Sequence, residues 1–86
     1  MAKRLNTRQP LDALGTSLRS LRLRRGLSQE ALAADADLHR TYLGGVERGE
    51  RNPSFLAITR ILVALNANWT ELATAIDAEL SRGHKS

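Results

Sequence analysis

Residues 28–49 read SQEALAADADLHRTYLGGVERG, a pattern that predicts two short helices joined by a tight turn. Ser28 is a favourable N-cap for the first helix because its hydroxyl can accept hydrogen bonds from the free amides of the next turn. Asp37 stands at the turn, where a left-handed backbone is needed and Asp tolerates it better than most residues. We expect the second helix to start after His39, its N-cap, and to end at Gly49.

The second of these helices has an apolar side and a polar side. At 100° per residue, its apolar side carries Tyr42, Leu43 and Val46. The opposite side carries Thr41, Gly44, Gly45 and Arg48. Each glycine within a helix costs about 0.5–1 kcal/mol relative to alanine, so the pair needs an explanation. We expect bare backbone that lets the polar side approach a ligand closely; the alternative is a loosened, marginal helix.

A helix is also predicted before this stretch, because leucines there follow steps of three, four and three residues. They are Leu11, Leu14, Leu18 and Leu21. Gly26, after two arginines, is a favourable end for this helix. Residues 1–10 show no periodicity, carry three bases, and include Pro10, which disfavours helix at the residue before it. We therefore expect residues 1–10 to form a flexible basic arm.

Two more helices are predicted after a loop at residues 50–53. Ser54 can cap the fourth helix, whose apolar residues make it the central core element. Asn66 can end that helix in a left-handed conformation, and Asn68 with Glu71 forms a capping-box pattern that opens the fifth. The fifth helix carries an apolar stripe of Trp69, Leu72, Ile76 and Leu80.

The size of the chain allows one small domain. Its 86 residues with 42% hydrophobic content can fill a single core but not two. We assign residues 11–80 to this domain and residues 81–86 to a flexible tail. No internal repeat or strand-like alternation interrupts it.

The residue types exclude several classes of protein. There is no cysteine, and His39 and His84 are too few for a structural zinc site. No apolar run suits a signal peptide or reaches the roughly 18 residues of a membrane span. We therefore expect a soluble, cytoplasmic protein with no membrane association, no metal and no cofactor.

Positive charge is concentrated near the start of the chain. Residues 1–25 hold seven basic residues and one acid, whereas residues 69–80 hold three acids and no base. This asymmetry favours a molecule with one face toward a polyanion, although charged helix faces are more often only solvated.

Four stretches of the sequence resemble the Cro and phage-repressor-like helix-turn-helix regulators, also called the xenobiotic-response-element family. They read RRGLSQEALA, RTYLGGVERG, RNPS and LNANWTEL, in that order, and the resemblance covers about residues 14–72. Within the family, RTYL followed by Gly45, Glu47 and Arg48 is most similar to the small controller proteins of restriction–modification systems. The resemblance implies an all-α, five-helix, lambda-repressor-like domain with the helix-turn-helix at helices 2 and 3.

The resemblance also implies that the polar side of helix 3 enters the DNA major groove. Arg40 and Thr41 match positions that touch base edges, where arginine can contact guanine and the threonine methyl can pack on thymine; Arg40 bound only to phosphate is the alternative. Gln29 matches the family's phosphate clamp, and a solvated amide is its alternative. The DNA-binding residues implied are Gln29, His39, Arg40, Thr41, Gly44, Gly45, Arg48 and Arg51.

Beyond helix 3, Arg48 and Arg51 would reach backbone phosphates, and Lys3, Arg4 and Arg8 could follow the minor groove. Plain disorder of the arm is the competing hypothesis for those last three.

Two further features follow from the resemblance. Arg22 and Glu47 form a structural ion pair in the family, and an unpaired carboxylate beside the apolar side of helix 3 would be costly. The dimer-interface candidates are Trp69, Leu72, Ile76 and Leu80; ordinary core packing is the alternative, first for Leu72 and then for Trp69. Because Ile76 and Leu80 lie beyond the usual domain end, we expect a homodimer with its two recognition helices about 34 Å apart.

The predicted function is that of a sequence-specific transcriptional regulator acting as a homodimer on a near-palindromic operator, with RNA polymerase as a candidate further partner. An enzyme is not expected, since Ser28 and His39 occupy cap positions and no nucleophile motif is present. The alternatives are a protein-interaction adaptor on the same scaffold and an antitoxin-type autorepressor with a toxin partner. Salt-dependent DNA affinity would separate the regulator from the adaptor.

Overall fold

A computed structural model describes residues 6–83 of the chain, and in that range the chain forms α-helices joined by turns and loops, with no strand. This confirms the predicted all-α, five-helix fold class. None of these helices is long and apolar enough to cross a lipid bilayer. They are α1 (Arg8–Arg24), α2 (Gln29–Ala36), α3 (Arg40–Glu47), α4 (Phe55–Leu65) and α5 (Trp69–Gly83).

Helix boundaries in the middle of the chain follow the capping chemistry of the sequence. The hydroxyls of Ser28 and Ser54 each accept a hydrogen bond from the amide three residues further on, at 3.0 Å. The side-chain oxygen of Asn68 does the same at 2.8 Å. Asp37 and Asn66 end α2 and α4 with φ of 56° and 53°. These predicted caps and left-handed stops are confirmed.

The start of α1 differs from the prediction. The helix begins at Arg8 behind Thr7, its N-cap, and not at Leu11. Pro10 is the third residue of the helix, where its missing N–H costs nothing because the first four amides of a helix have no intrahelical partner. The boundary of the predicted arm is therefore wrong, since its last three residues are helical.

The end of α5 also differs from the prediction. The helix continues to Gly83, so residues 81–83, which were assigned to the flexible tail, are helical. The extra residues keep the helical hydrogen-bond ladder. The expectations for residues 1–5, with Lys3 and Arg4, and for residues 84–86 lie outside the described residues.

One apolar core joins all five helices. Each helix contributes at least one side chain that is almost completely buried, and α1 packs on α3 and α5 while α2 packs on α3 and α4. This arrangement holds α2 and α3 between α1 and α4 and leaves one side of α3 outward. The largest buried side chains are Leu18, Leu21, Leu32, Leu43, Val46, Ile61, Leu65 and Leu72.

Backbone contact between α1 and the end of α3 depends on Gly15. A Cβ atom on Gly15 would overlap the carbonyl oxygen of Val46 and would lie 2.5 Å from that of Glu47. Only glycine permits this approach without a shift of one helix. Gly15 therefore helps to set the position of α3 relative to α1.

We expect Gly15→Ala to lower the free energy of unfolding by about 1–3 kcal/mol, because the added methyl forces the helices apart. The effect opposes the intrinsic preference of alanine for helix. Urea unfolding followed by circular dichroism measures it. Thr16→Ala, at an exposed site on the same helix, is the control and should change stability by about 0.5 kcal/mol or less. A Gly15→Ala protein as stable as the parent would contradict the close approach.

Candidate nucleic-acid interface

The outward side of α3 carries polar side chains. Arg40 and Thr41, in its first turn, and Arg48, its C-cap, are exposed, whereas Leu43 and Val46 are buried in the core. The two-sided helix expected from the sequence is therefore present. Its exposed side is the candidate interface.

Arg40 is held near the start of α2 by an exposed ion pair. Its Nε lies 2.9 Å from a carboxylate oxygen of Glu30, and both side chains are more than half exposed. Such surface pairs contribute about 0–1 kcal/mol, so a stronger anionic partner can displace Glu30 at little cost. The sequence analysis did not indicate this contact.

The side chain of His39 is exposed at the N-cap position of α3. Within residues 6–83 it makes no capping hydrogen bond, so His39 is the N-cap by its extended backbone conformation and not through its side chain. The ring is therefore free to face a ligand next to Arg40.

A buried ion pair joins α1 to the end of α3. The Nε and Nη2 atoms of Arg22 donate to the two carboxylate oxygens of Glu47 at 2.7 and 2.9 Å. The side chains are only 8% and 1% exposed, and Nη1 of Arg22 donates to the carbonyl of Leu27 at 2.8 Å. The hydrogen bonds to Glu47 raise the pKa of Arg22 above its ordinary value, despite the opposing effect of burial. The pair implied by the resemblance is thus present, and its charges are satisfied.

Gln29 extends this network to α2. Its Nε2 donates to Glu47 at 2.9 Å, and the side chain is half-buried at the first residue of the helix. An amide nitrogen carries two hydrogens, so one remains for a further acceptor. Glu47 therefore fixes the orientation of the residue predicted to act as a phosphate clamp.

The backbone of the two glycines of α3, Gly44 and Gly45, is not exposed to solvent. Both are buried, and the side chains of Gln29, Arg48 and Arg51 lie over them. The expectation of open backbone on the polar side is wrong because arginines from beyond the helix cover it. Sequence periodicity could not indicate this, since it describes the helix alone.

The arginines after α3 differ in their partners. Nε of Arg48 donates to Glu50 at 3.1 Å in an exposed ion pair. Arg51 is exposed as well, and the described residues supply no ion pair for it. The predicted DNA-binding side chains thus surround α3 from Gln29 to Arg51.

A second surface, on α4 and the start of α5, is apolar and exposed. The rings of Phe55 and Trp69 are stacked with centroids 4.9 Å apart, and the exposed fractions are 72% and 42%. Leu56 and Val63 on α4 are also more than half exposed. We call these four residues the α4–α5 patch. The sequence analysis missed the three on α4 because it assigned that helix to the core as a whole.

The predicted dimer residues on α5 divide into separate groups. Leu72 is 2% exposed and belongs to the core of the single chain, so its assignment to a dimer surface is wrong. Ile76 and Leu80 are half-buried, and Ile76 packs against the core. Trp69 remains available on the surface. An apolar groove of about 310 Å³ adjoins it, lined by Pro10, Leu11, Leu14, Ile58, Trp69, Leu72, Ala73 and Ile76.

Metal ligands are not gathered anywhere in residues 6–83, where no group of three His, Cys, Asp or Glu side chains could hold an ion. The candidate interface is instead composed of arginine, threonine and amide groups. These are the side chains that bind phosphates and base edges.

Comparison with known proteins places this geometry among helix-turn-helix regulators. Residues 18–76 match a family model described as helix-turn-helix. Control protein C.SmaI of Serratia marcescens is 43% identical over 63 residues, which are 73% of this chain and 75% of that protein. The family resemblance inferred from the sequence is confirmed.

Solved structures of similar proteins have the same fold as this chain. The restriction-modification controller protein C.AhdI from Aeromonas hydrophila is 48% identical, with a TM-score of 0.70 over 72% of this chain and 94% of that chain. The controller protein C.Esp1396I, solved as a tetramer in complex with its natural 35 base-pair operator, is 28% identical. Its TM-score is 0.78 over 84% of this chain and 95% of that chain.

We expect Arg22→Ala to lower the free energy of unfolding by about 3 kcal/mol or more, because it leaves the buried Glu47 carboxylate without its cation. Chemical denaturation measures the loss. Arg48→Ala, which breaks an exposed pair, is the control and should cost about 1 kcal/mol or less.

A double variant, Arg22→Met with Glu47→Leu, separates the causes of that loss. It should regain most of the stability, because apolar residues of similar size can replace a buried pair. A double variant as unstable as Arg22→Ala would contradict the attribution to a stranded charge.

Proposed function

The chain belongs to the helix-turn-helix family, and from this premise we propose that it is a sequence-specific transcriptional regulator that binds double-stranded DNA as a homodimer. The observation that carries the proposal is the exposed polar side of α3, held outward by the buried Arg22–Glu47 pair. The family is one of DNA-binding regulators and not of enzymes. We expect the protein to act in the cytoplasm, on a near-palindromic operator.

Within the family, we propose a controller of a restriction–modification system. Support comes from the 43% and 48% identity to proteins named as controllers, each over more than 70% of this chain. RNA polymerase is a candidate further partner of such a regulator. An adaptor or antitoxin role on the same scaffold has no comparable support.

The proposed contacts follow from the weak pairing of the exposed arginines. Arg40 would leave Glu30 and donate two hydrogen bonds to a guanine edge, while the Thr41 methyl packs on a thymine methyl. Gln29 would use its second amide hydrogen for a phosphate at the start of α2, where free backbone amides also favour an anion. The contacts of Arg40 and Thr41 would determine which base sequence is preferred, and the contact of Gln29 would fix the position of the protein on the duplex.

The proposed dimer would bury the α4–α5 patch against a second copy. An exposed aromatic stack beside an apolar groove is unfavourable in a monomer, and a two-fold interface covers both copies at once. Two-fold symmetry would place the two α3 helices about 34 Å apart, facing successive major grooves.

For DNA binding, we expect a duplex selected from a random pool to bind with an affinity that falls as salt rises. Arg40→Ala should lose about 1–3 kcal/mol of discrimination at one base pair, whereas Gln29→Ala should weaken all duplexes alike. Fluorescence anisotropy against single-base variants of the selected site measures both. Arg82→Ala, which removes an exposed charge at the end of α5, is the control and should bind like the parent. No binding by the parent even in dilute buffer would reject the proposal.

For dimerisation, we expect Val63→Asp to give a folded monomer with much weaker operator binding, because a charge in the α4–α5 patch opposes its burial. Val63 is 74% exposed, so the core is not affected. Sedimentation velocity gives the oligomeric state. Leu23→Asp, at an exposed apolar site on α1, is the control and should stay dimeric. A Val63→Asp protein that remains a dimer would place the interface elsewhere.

A further inference from the structure

Gly45 supports the side chain of Arg51. A Cβ atom on Gly45 would lie 2.8 Å from Cγ of Arg51 and 3.4 Å from its Nε. The aliphatic stem of the arginine therefore lies in the space that any other residue at position 45 would occupy. A methyl group there would displace the arginine.

Gly44 is different, although it is the neighbouring glycine on the same helix. The nearest atom to a Cβ on Gly44 would be Nη1 of Arg48 at 3.1 Å, followed by Oε1 of Gln29 at 3.6 Å. The Nη1 atom is the far end of a flexible chain and can move aside. A methyl group at position 44 therefore displaces only the end of a side chain, whereas one at position 45 displaces the stem of Arg51.

The stem of Arg51 lies against Gly45, and its charged end has no ion-pair partner among residues 6–83. Arg40 and Arg48 pair with Glu30 and Glu50, but the described residues give Arg51 no such partner, and its side chain is exposed. Ordering a long side chain on binding costs conformational entropy. A stem that is already seated reduces that cost.

We propose that Gly45 is a positioning residue that seats Arg51 so that its guanidinium meets a DNA phosphate beside α3. The inference rests on the proposed function and adds to it the residue that orients one phosphate contact. A guanidinium can donate two parallel hydrogen bonds to phosphate, and this geometry rewards a fixed direction of approach. It also explains why a helix keeps a glycine that weakens it.

The test compares two consequences of one substitution, the change in thermal stability and the change in DNA affinity, which should not fall together. Gly45→Ala should keep or raise the thermal stability, because alanine favours helix and the exposed Arg51 side chain can move away. The same change should weaken DNA binding. A purely structural role of Gly45 would lower stability and binding together.

A double-variant cycle measures the coupling. We expect Arg51→Ala to weaken binding of the selected duplex about tenfold and to lower the salt slope by about one, as for the loss of one phosphate contact. Gly45→Ala should weaken binding about three- to tenfold in the parent but less than about twofold in the Arg51→Ala background. Arg82→Ala, which removes an exposed arginine at the end of α5, is the matched control for Arg51→Ala and should stay within about twofold of the parent.

Three outcomes overturn the inference alone: Gly45→Ala lowers stability and binding together, it binds like the parent, or it weakens binding equally with and without Arg51. Each of these leaves a parent that still binds DNA, so the proposed function stands. A parent that binds no duplex at any salt concentration overturns the proposed function, and this inference falls with it.

Discussion

The carboxylate of Glu47 lies where three helices meet, and the orientation of α3 depends on it. It accepts hydrogen bonds from Arg22 of α1 and Gln29 of α2. A buried charge tolerates few arrangements, because moving either partner leaves the other unsatisfied. The Glu47 carboxylate therefore holds α3 in place and also orients the side-chain amide of Gln29 at the start of α2. The α2 and α3 parts of the candidate interface both depend on this one group.

If the exposed arginines around α3 bind DNA as proposed, a protein of modest net charge can still present several cations to it. Arg40 and Arg48 are paired with acids in the free protein, but both pairs are exposed and therefore weak. Phosphates or base edges can replace those acids, so the pairs keep the side chains near their proposed ligands without blocking them. For Arg51, to which residues 6–83 give no acid partner, we propose that the contact with Gly45 serves the same purpose.

The sequence predicted most of the fold because the fold depends on local chemistry. Ser28, Asp37 and Asn66 determine helix ends through their own side chains and backbone, so their positions could be predicted one residue at a time. Pro10 was misjudged because proline disfavours a helix interior but not its first turn. The α4 residues of the α4–α5 patch were missed because the sequence of an apolar helix does not show which of its sides packs against other helices. The cover over Gly45 was missed because it comes from a residue outside α3.

Titration of the ¹⁵N-labelled chain with its selected duplex, followed by amide chemical shifts, is the most direct measurement. We expect the largest shifts at Gln29, Arg40 and Thr41, and we expect them to weaken as salt is added. The amides in the middle of α5 should change little. Largest shifts on α5, or none in dilute buffer, would contradict the assignment of α3 as the DNA-binding element.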